Sequence, residues 1–252
     1  METDLKNTLR ELLIALADDE LILGHRDSEW CSHAPILEED IAFANLALDE
    51  IGHANLWYSL SAELEEAESQ SYVDRIVFWR DAPDFRNIQM VELPNGDWAF
   101  SMLRQYLFDS AEIERLNVLA ESAFAPLAET AAKIRTEEHY HLRHTRLWLR
   151  RLGLGTAESR QRLQAALDQL WPYTGQLFEL PGERDHLLGL GIKMAQASPS
   201  WEAQVIPFLS ECQLTLPAGA RRALNRQGHT RHLAVLLNEM QSVARLDPEA
   251  EW

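Results

Sequence analysis

Ala47-Leu48-Asp49-Glu50-Ile51-Gly52-His53-Ala54 is the stretch on which the reading of this chain turns. Residues three apart on a helix project the same way, so Glu50 and His53 present a carboxylate and an imidazole together. The motif recurs once, in Thr136-Glu137-Glu138-His139-Tyr140-His141, where Glu138 stands three before His141. Two Glu-x-x-His helices, each preceded by a helix with an inward carboxylate, are how a four-helix bundle builds a dinuclear iron or manganese site.

Both upstream helices are legible. Leu9, Leu12, Leu13, Leu16 and Leu23 recur at helical spacing, which predicts an amphipathic helix from Leu5 to about Leu23. In its second half, Asp19 falls between Leu12, Leu16 and Leu23, while Glu20 shares a face with Leu13, Leu16 and Leu23. The pattern does not separate the two firmly, and Asp19 is the preferred candidate. Helix two runs from about Leu37 past Leu60, with Ile41, Ala44, Leu48 and Ile51 on one flank and Phe43, Ala47, Glu50 and Ala54 on the next. A helix apolar over more than half its circumference is expected to be buried on several sides.

Between Glu66 and Trp98 the helical period fails, and the segment reads as an irregular, aromatic-rich crossover with at most a short extended piece. Asp97 is a plausible cap for helix three, whose stripe Met102, Tyr106, Asp109, Ile113 and Leu116 is interrupted by one acid. Helix four runs from about Leu127 to Leu152, stopped by Gly153 and Gly155, with Ile134, Glu138, His141, Leu142 and Leu149 inward. The basic residues Arg143, Arg146, Arg150 and Arg151 lie mainly on other faces, as a solvated or intra-bundle-paired surface. Further helices are expected over about 157–178, 184–197, 201–212 and 230–245. No composition shift cuts the chain, so the expectation is one all-α domain: a core four-helix bundle over about 5–152 with additional helices over about 157–245.

The metal-site candidates are therefore Asp19, Glu50, His53, Asp109, Glu138 and His141. Asp19 precedes Glu50 by 31 positions and Asp109 precedes Glu138 by 29. At ~1.5 Å rise per residue, antiparallel helices joined by a turn bring such positions level. Carboxylates can bridge and balance two cations, and one imidazole for each fixes geometry. The alternative is a set of polar groups satisfied by one another in the core.

Composition narrows the rest. A formal net charge of −17 argues against nucleic-acid or anionic-membrane partners. No window reaches the ~18–20 apolar residues of a membrane span, and the start lacks the pattern of a signal peptide, so a cytoplasmic protein is expected. The two cysteines, Cys31 and Cys212, have no metal-spaced neighbours and read as reduced structural thiols. No phosphate loop, Gly-x-Gly-x-x-Gly or Gly-x-Ser-x-Gly elbow is present. His229 and His232, near the last helix, read as cap or surface residues.

Several distributed blocks carry a resemblance: Glu29-Trp30-Cys31-Ser32-His33-Ala34-Pro35, Leu93-Pro94-Asn95-Gly96, Arg104-Gln105-Tyr106, Tyr140-His141-Leu142-Arg143, and Gly228-His229-Thr230 through Glu239-Met240-Gln241. In these the chain resembles the C subunit of the bacterial ring-1,2-phenylacetyl-CoA epoxidase over nearly its whole length. The resemblance implies a ferritin-like fold and a multicomponent monooxygenase of aerobic phenylacetate catabolism. Its A subunit holds the di-iron centre and the CoA thioester, the C subunit pairs with A, a small B subunit bridges pairs, and an iron–sulfur flavin reductase brings electrons from NADPH. It further implies a noncatalytic C subunit without cofactor, whose metal site has been lost. Glu50, His53, Glu138 and His141 depart from that pattern, which keeps a di-iron oxidase or oxygenase with two iron ions of its own as the alternative. On the scaffold reading, the apolar load of the helices and the Val77–Trp98 excursion would form the interface with A.

Overall fold

The computed structural model describes residues 2–182, 184–219 and 221–247. Four long helices make the core: α1 (Thr3–Ser28), α2 (Leu37–Leu64), α5 (Trp98–Leu119) and α6 (Ala125–Leu154). The crossover between α2 and α5 carries α3 (Ser69–Phe78) and the single turn α4 (Gln89–Glu92). After α6 come α7 (Ala157–Leu170), α8 (Arg184–Gly189), α9 (Ala197–Glu211), α10 (Arg231–Met240) and α11 (Ser242–Leu246). This is the expected all-α, ferritin-like bundle with additions, and among the described residues no strand occurs.

The core is two antiparallel pairs. In the first, Tyr58 donates to Asp18 at 2.5 Å and Lys6 lies 3.6 Å from Glu65, so α1 and α2 run in opposite senses. Gly24 lets them close: a Cβ there would stand 3.0 Å from Glu50 Cβ and 3.1 Å from the Ala47 carbonyl oxygen. A side chain on α1 at this level would push Glu50 away from the bundle axis. In the second pair, Thr145 donates to Asp109 at 3.2 Å and Arg135 to Asn117 at 3.0 Å. Asp97 caps α5 by accepting from the Phe100 amide at 3.0 Å, as its position predicts.

The additions cover one side. α7 and α9 pack on α5, and α10 packs on α4. Gly153, expected to stop α6, instead allows its end to cross α9's; a Cβ there would meet the Cys212 carbonyl oxygen at 2.3 Å. α6 itself begins two residues early because Pro126 fits its first turn, where no amide hydrogen is needed.

The crossover departs most from expectation. Ser69–Phe78 is a helix, capped by Glu68, which accepts from the amides of Gln70 and Ser71. Phe85, Ile88, Met90 and Val91 are fully buried within the chain's own core, while Trp79 (43%) of the same excursion stays exposed. Its backbone is held by acids of α1: the Arg86 amide donates to Asp18 at 2.7 Å and the Ile88 amide to Asp19 at 2.8 Å. Helix two departs in the opposite sense. Phe43, Ala47, Glu50 and Ala54 are buried, while Ile41 (57%), Leu48 (67%) and Ile51 (39%) on the adjacent flank are exposed. No helix among the described residues is long and apolar enough to cross a membrane.

Candidate metal centre

The four core helices bring Glu20, Glu50, His53, Asp109, Glu138 and His141 to one buried level. Five of the six expected residues are thus together, and the sixth is replaced by its neighbour. Successive residues on a helix are rotated by about 100°, so Asp19 and Glu20 cannot face the same way. Asp19 turns toward the crossover and the additions, where Arg226 grips both its oxygens at 2.9 Å and Arg115 lies 3.2 Å away. It is a structural anchor and not part of the cluster. Glu20 turns toward α2 and α6, 3.9 Å from His53 Nδ1.

The atoms divide into two groups. Ligand atoms from Glu20, Glu50, His53 and Glu138 lie within 4.8 Å of one another, and so do those from Glu50, Asp109 and His141. Glu50 belongs to both. Glu138 Oε1 stands between the two imidazoles, 3.4 Å from His53 Nδ1 and 3.1 Å from His141 Nδ1.

Each imidazole is oriented from outside. His53 Nε2 lies 2.8 Å from Glu137 and His141 Nε2 lies 3.3 Å from Asp49. A carboxylate only accepts, so Nε2 carries the proton and Nδ1 is turned to the cluster. The pairing is crossed: Glu137 of α6 holds the histidine of α2, and Asp49 of α2 holds that of α6. Helical spacing alone does not single out these two residues. Their signal is the acidic doublet that opens each motif, Asp49-Glu50 and Glu137-Glu138.

A fit to metal is tested by what the buried atoms lack. Both oxygens of Glu20, both of Glu138, Glu50 Oε2, His53 Nδ1 and His141 Nδ1 are buried without a hydrogen-bond partner. Buried polar atoms are rarely left so, and seven converging ones need a shared cation or protons. Protonation is the metal-free answer. Burial and the neighbouring Glu50 push Glu20 well above the carboxylate range, and burial and Glu138 do the same to Asp109. Burial opposes charge on Glu50, but its contacts with Glu20 and the two histidines outweigh it and hold it down at about 2. Burial likewise opposes charge on His141, and Glu138, Asp49 and Glu50 override it to favour the imidazolium. Of these two crowded carboxyls, Glu20 is biased toward its protonated form and Glu50 toward its ionised one. The donor set itself, four carboxylates and two imidazoles, suits two hard or borderline divalent ions.

His229 has partners of its own away from the cluster and is not a surface residue: its two ring nitrogens lie 2.6 Å from Glu92 and 3.0 Å from the Phe85 carbonyl oxygen. Arg146 and Arg150 of the basic run lie over the Phe208 ring, and Arg150 also reaches Glu211, in line with intra-bundle pairing.

The family model of phenylacetic acid catabolic proteins matches residues 1–252. The chain is similar to the C subunit of 1,2-phenylacetyl-CoA epoxidase from Escherichia coli (strain K12), with 39% identity over 98% of this chain and 100% of that one. It is also similar to the A subunit of 1,2-phenylacetyl-CoA epoxidase from the same organism, at 25% identity over 62% of this chain and 48% of that one.

Proposed function

Because the chain belongs to the phenylacetic acid catabolic protein family, we propose that it is the C-type subunit of a phenylacetyl-CoA epoxidase in aerobic phenylacetate catabolism. In this reading it is a noncatalytic, single-domain cytoplasmic scaffold that holds a catalytic di-iron A subunit. A small B subunit and an iron–sulfur flavin reductase complete the assembly. The observation that carries the scaffold role is the apolar flank of α2. Leu37 (71%), Ile41, Leu48 and Ile51 share one exposed flank of α2, and Tyr140 (70%) of α6 is exposed as well, while Phe43, Leu46, Ala47 and Ala54 of α2 are buried. Large apolar side chains grouped in this way mark a protein interface. An A subunit with a related sequence is the natural occupant, since two related bundles can pair through equivalent faces.

The test is reconstitution. The chain and its cognate A subunit, mixed after separate purification, should form a stable complex. Phenylacetyl-CoA should turn over with reductase only when A is present. Turnover by this chain alone, or no association, would overturn the proposal.

A second reading is favoured by the unpartnered atoms of the cluster: the chain carries a metal centre of its own. Glu20, Glu50, His53 and Glu138 would hold one ion, and Glu50, Asp109 and His141 a second. A carboxylate-rich pair of iron ions supplies dioxygen activation when bound. The chain's own part is to keep both Nδ1 atoms facing inward through Glu137 and Asp49, and to seal the cluster from water. Asp49 and Glu137 are half-exposed, 50% and 46%, among the apolar residues proposed to dock A. Iron bound to the chain and lost on Glu138→Ala would support this reading, and chain purified from iron-rich medium without iron would remove it.

A further inference from the structure

The two halves of the cluster are unequal, and the difference comes from Gln105. This fully buried side chain of α5 donates from one nitrogen to Glu50 Oε1 at 2.7 Å and to Asp109 Oδ1 at 2.8 Å. Glu50 is held ionised and can only accept, so the NH2 end of the amide must face it. It stands between Glu50 and Asp109, where a cation shared by the two would have to sit. Thr145 takes the other Asp109 oxygen at 3.2 Å. In the remaining half nothing comparable intrudes. Both Glu20 oxygens, both Glu138 oxygens, Glu50 Oε2 and His53 Nδ1 are buried and unpartnered.

Resting on the reading that the cluster takes metal, we propose that this chain is a one-metal site. A single divalent ion is held by Glu20, Glu50, His53 and Glu138, and the Gln105 amide keeps the Glu50–Asp109–His141 half closed. An ion entering that half must first displace a buried donor from Glu50 and Asp109, which costs the amide both of its hydrogen bonds. An ion entering the other half gains four ligand residues without displacing an amide donor. Three carboxylates and one imidazole suit Mn2+ or Fe2+.

The test is metal stoichiometry on the full chain. Protein stripped with chelator is dialysed against graded Mn2+, and bound metal is counted while its electron paramagnetic resonance is recorded. Wild type should bind about one Mn2+ per chain tightly, with the spectrum of an isolated ion. Gln105→Ala should bind about two and show spin coupling between them. The outer carboxylates supply a comparison that spares the core. Glu137→Gln, which loosens His53, should weaken the tight ion by at least about tenfold, while Asp49→Asn, which loosens His141, should leave it within about twofold. Two ions of equal affinity in wild type, or equal effects of the two outer variants, would overturn the asymmetry while leaving the metal reading standing. No tight Mn2+ in wild type would overturn both.

Discussion

Replacing Ile41 and Leu48 together by serine tests the docking face at the residues with the most to gain from cover. Fully burying an aliphatic side chain of this size is worth about 1.5–3 kcal/mol. Ile41 is 57% and Leu48 67% exposed, so complete cover by a partner would add roughly 1–2 kcal/mol for each. Together that is about 3 kcal/mol, or roughly a hundredfold in Kd at about 1.4 kcal/mol per factor of ten. Since more than half of each side chain is already exposed in the free chain, its own stability should change little. Titration calorimetry against the cognate A subunit would read the affinity, and circular dichroism on heating would read the fold. Val235→Ser, 67% exposed on α10, which packs on α4, is the control for loss of any exposed apolar group. Affinity unchanged in the double variant, or lowered equally by Val235→Ser, would refute the assignment of this face.

Arg226→Met should cost about 3 kcal/mol, because it leaves the buried Asp19 with Arg115 as its remaining ionic partner. In a chain of this length that is a fall of about 10 °C in Tm by calorimetry; a shift under about 2 °C would show the clamp to be dispensable. Burial outweighs the neighbouring Arg104 and raises Asp27 from 3.8 to about 7. Between those values the folded chain keeps a proton that the unfolded chain has lost, so Asp27 makes stability fall as pH rises through that window. Urea midpoints measured from about pH 5 to 7.5 should therefore decline less steeply in Asp27→Asn than in wild type, and an unchanged slope would count against the shift. Cys31 is exposed, whereas Cys212 is buried with its thiol pushed up to about 11 by burial. A disulfide reagent at neutral pH should therefore label Cys31 rapidly and Cys212 only on unfolding, as read by mass spectrometry of the peptides.

The helices of the bundle and most of the cluster were legible because they rest on period. Glu-x-x-His fixes which side chains share a face whatever surrounds them, and the leucine spacing of α1 and the acid within the apolar stripe of α5 follow the same rule. Asp19 against Glu20 was not legible. Both lie near the same leucines, and only the arrival of Arg226, 207 residues later in the chain, decides which of them is claimed elsewhere. Gln105 gave no signal, since a glutamine on a helix acquires meaning only from the two carboxylates that other turns and another helix bring against it.

Periodicity therefore determined, by itself, that this chain forms helices with acids and imidazoles on inner faces. It also showed that α2 carries more apolar surface than one neighbour can cover. Tertiary structure alone decided which flank of α2 stays bare, which acid of α1 enters the cluster, and which half of the cluster an amide closes. The physical reason is that a helix sets the direction of each side chain relative to its own axis, whereas a partner's position depends on how separate helices are rotated and staggered when they pack.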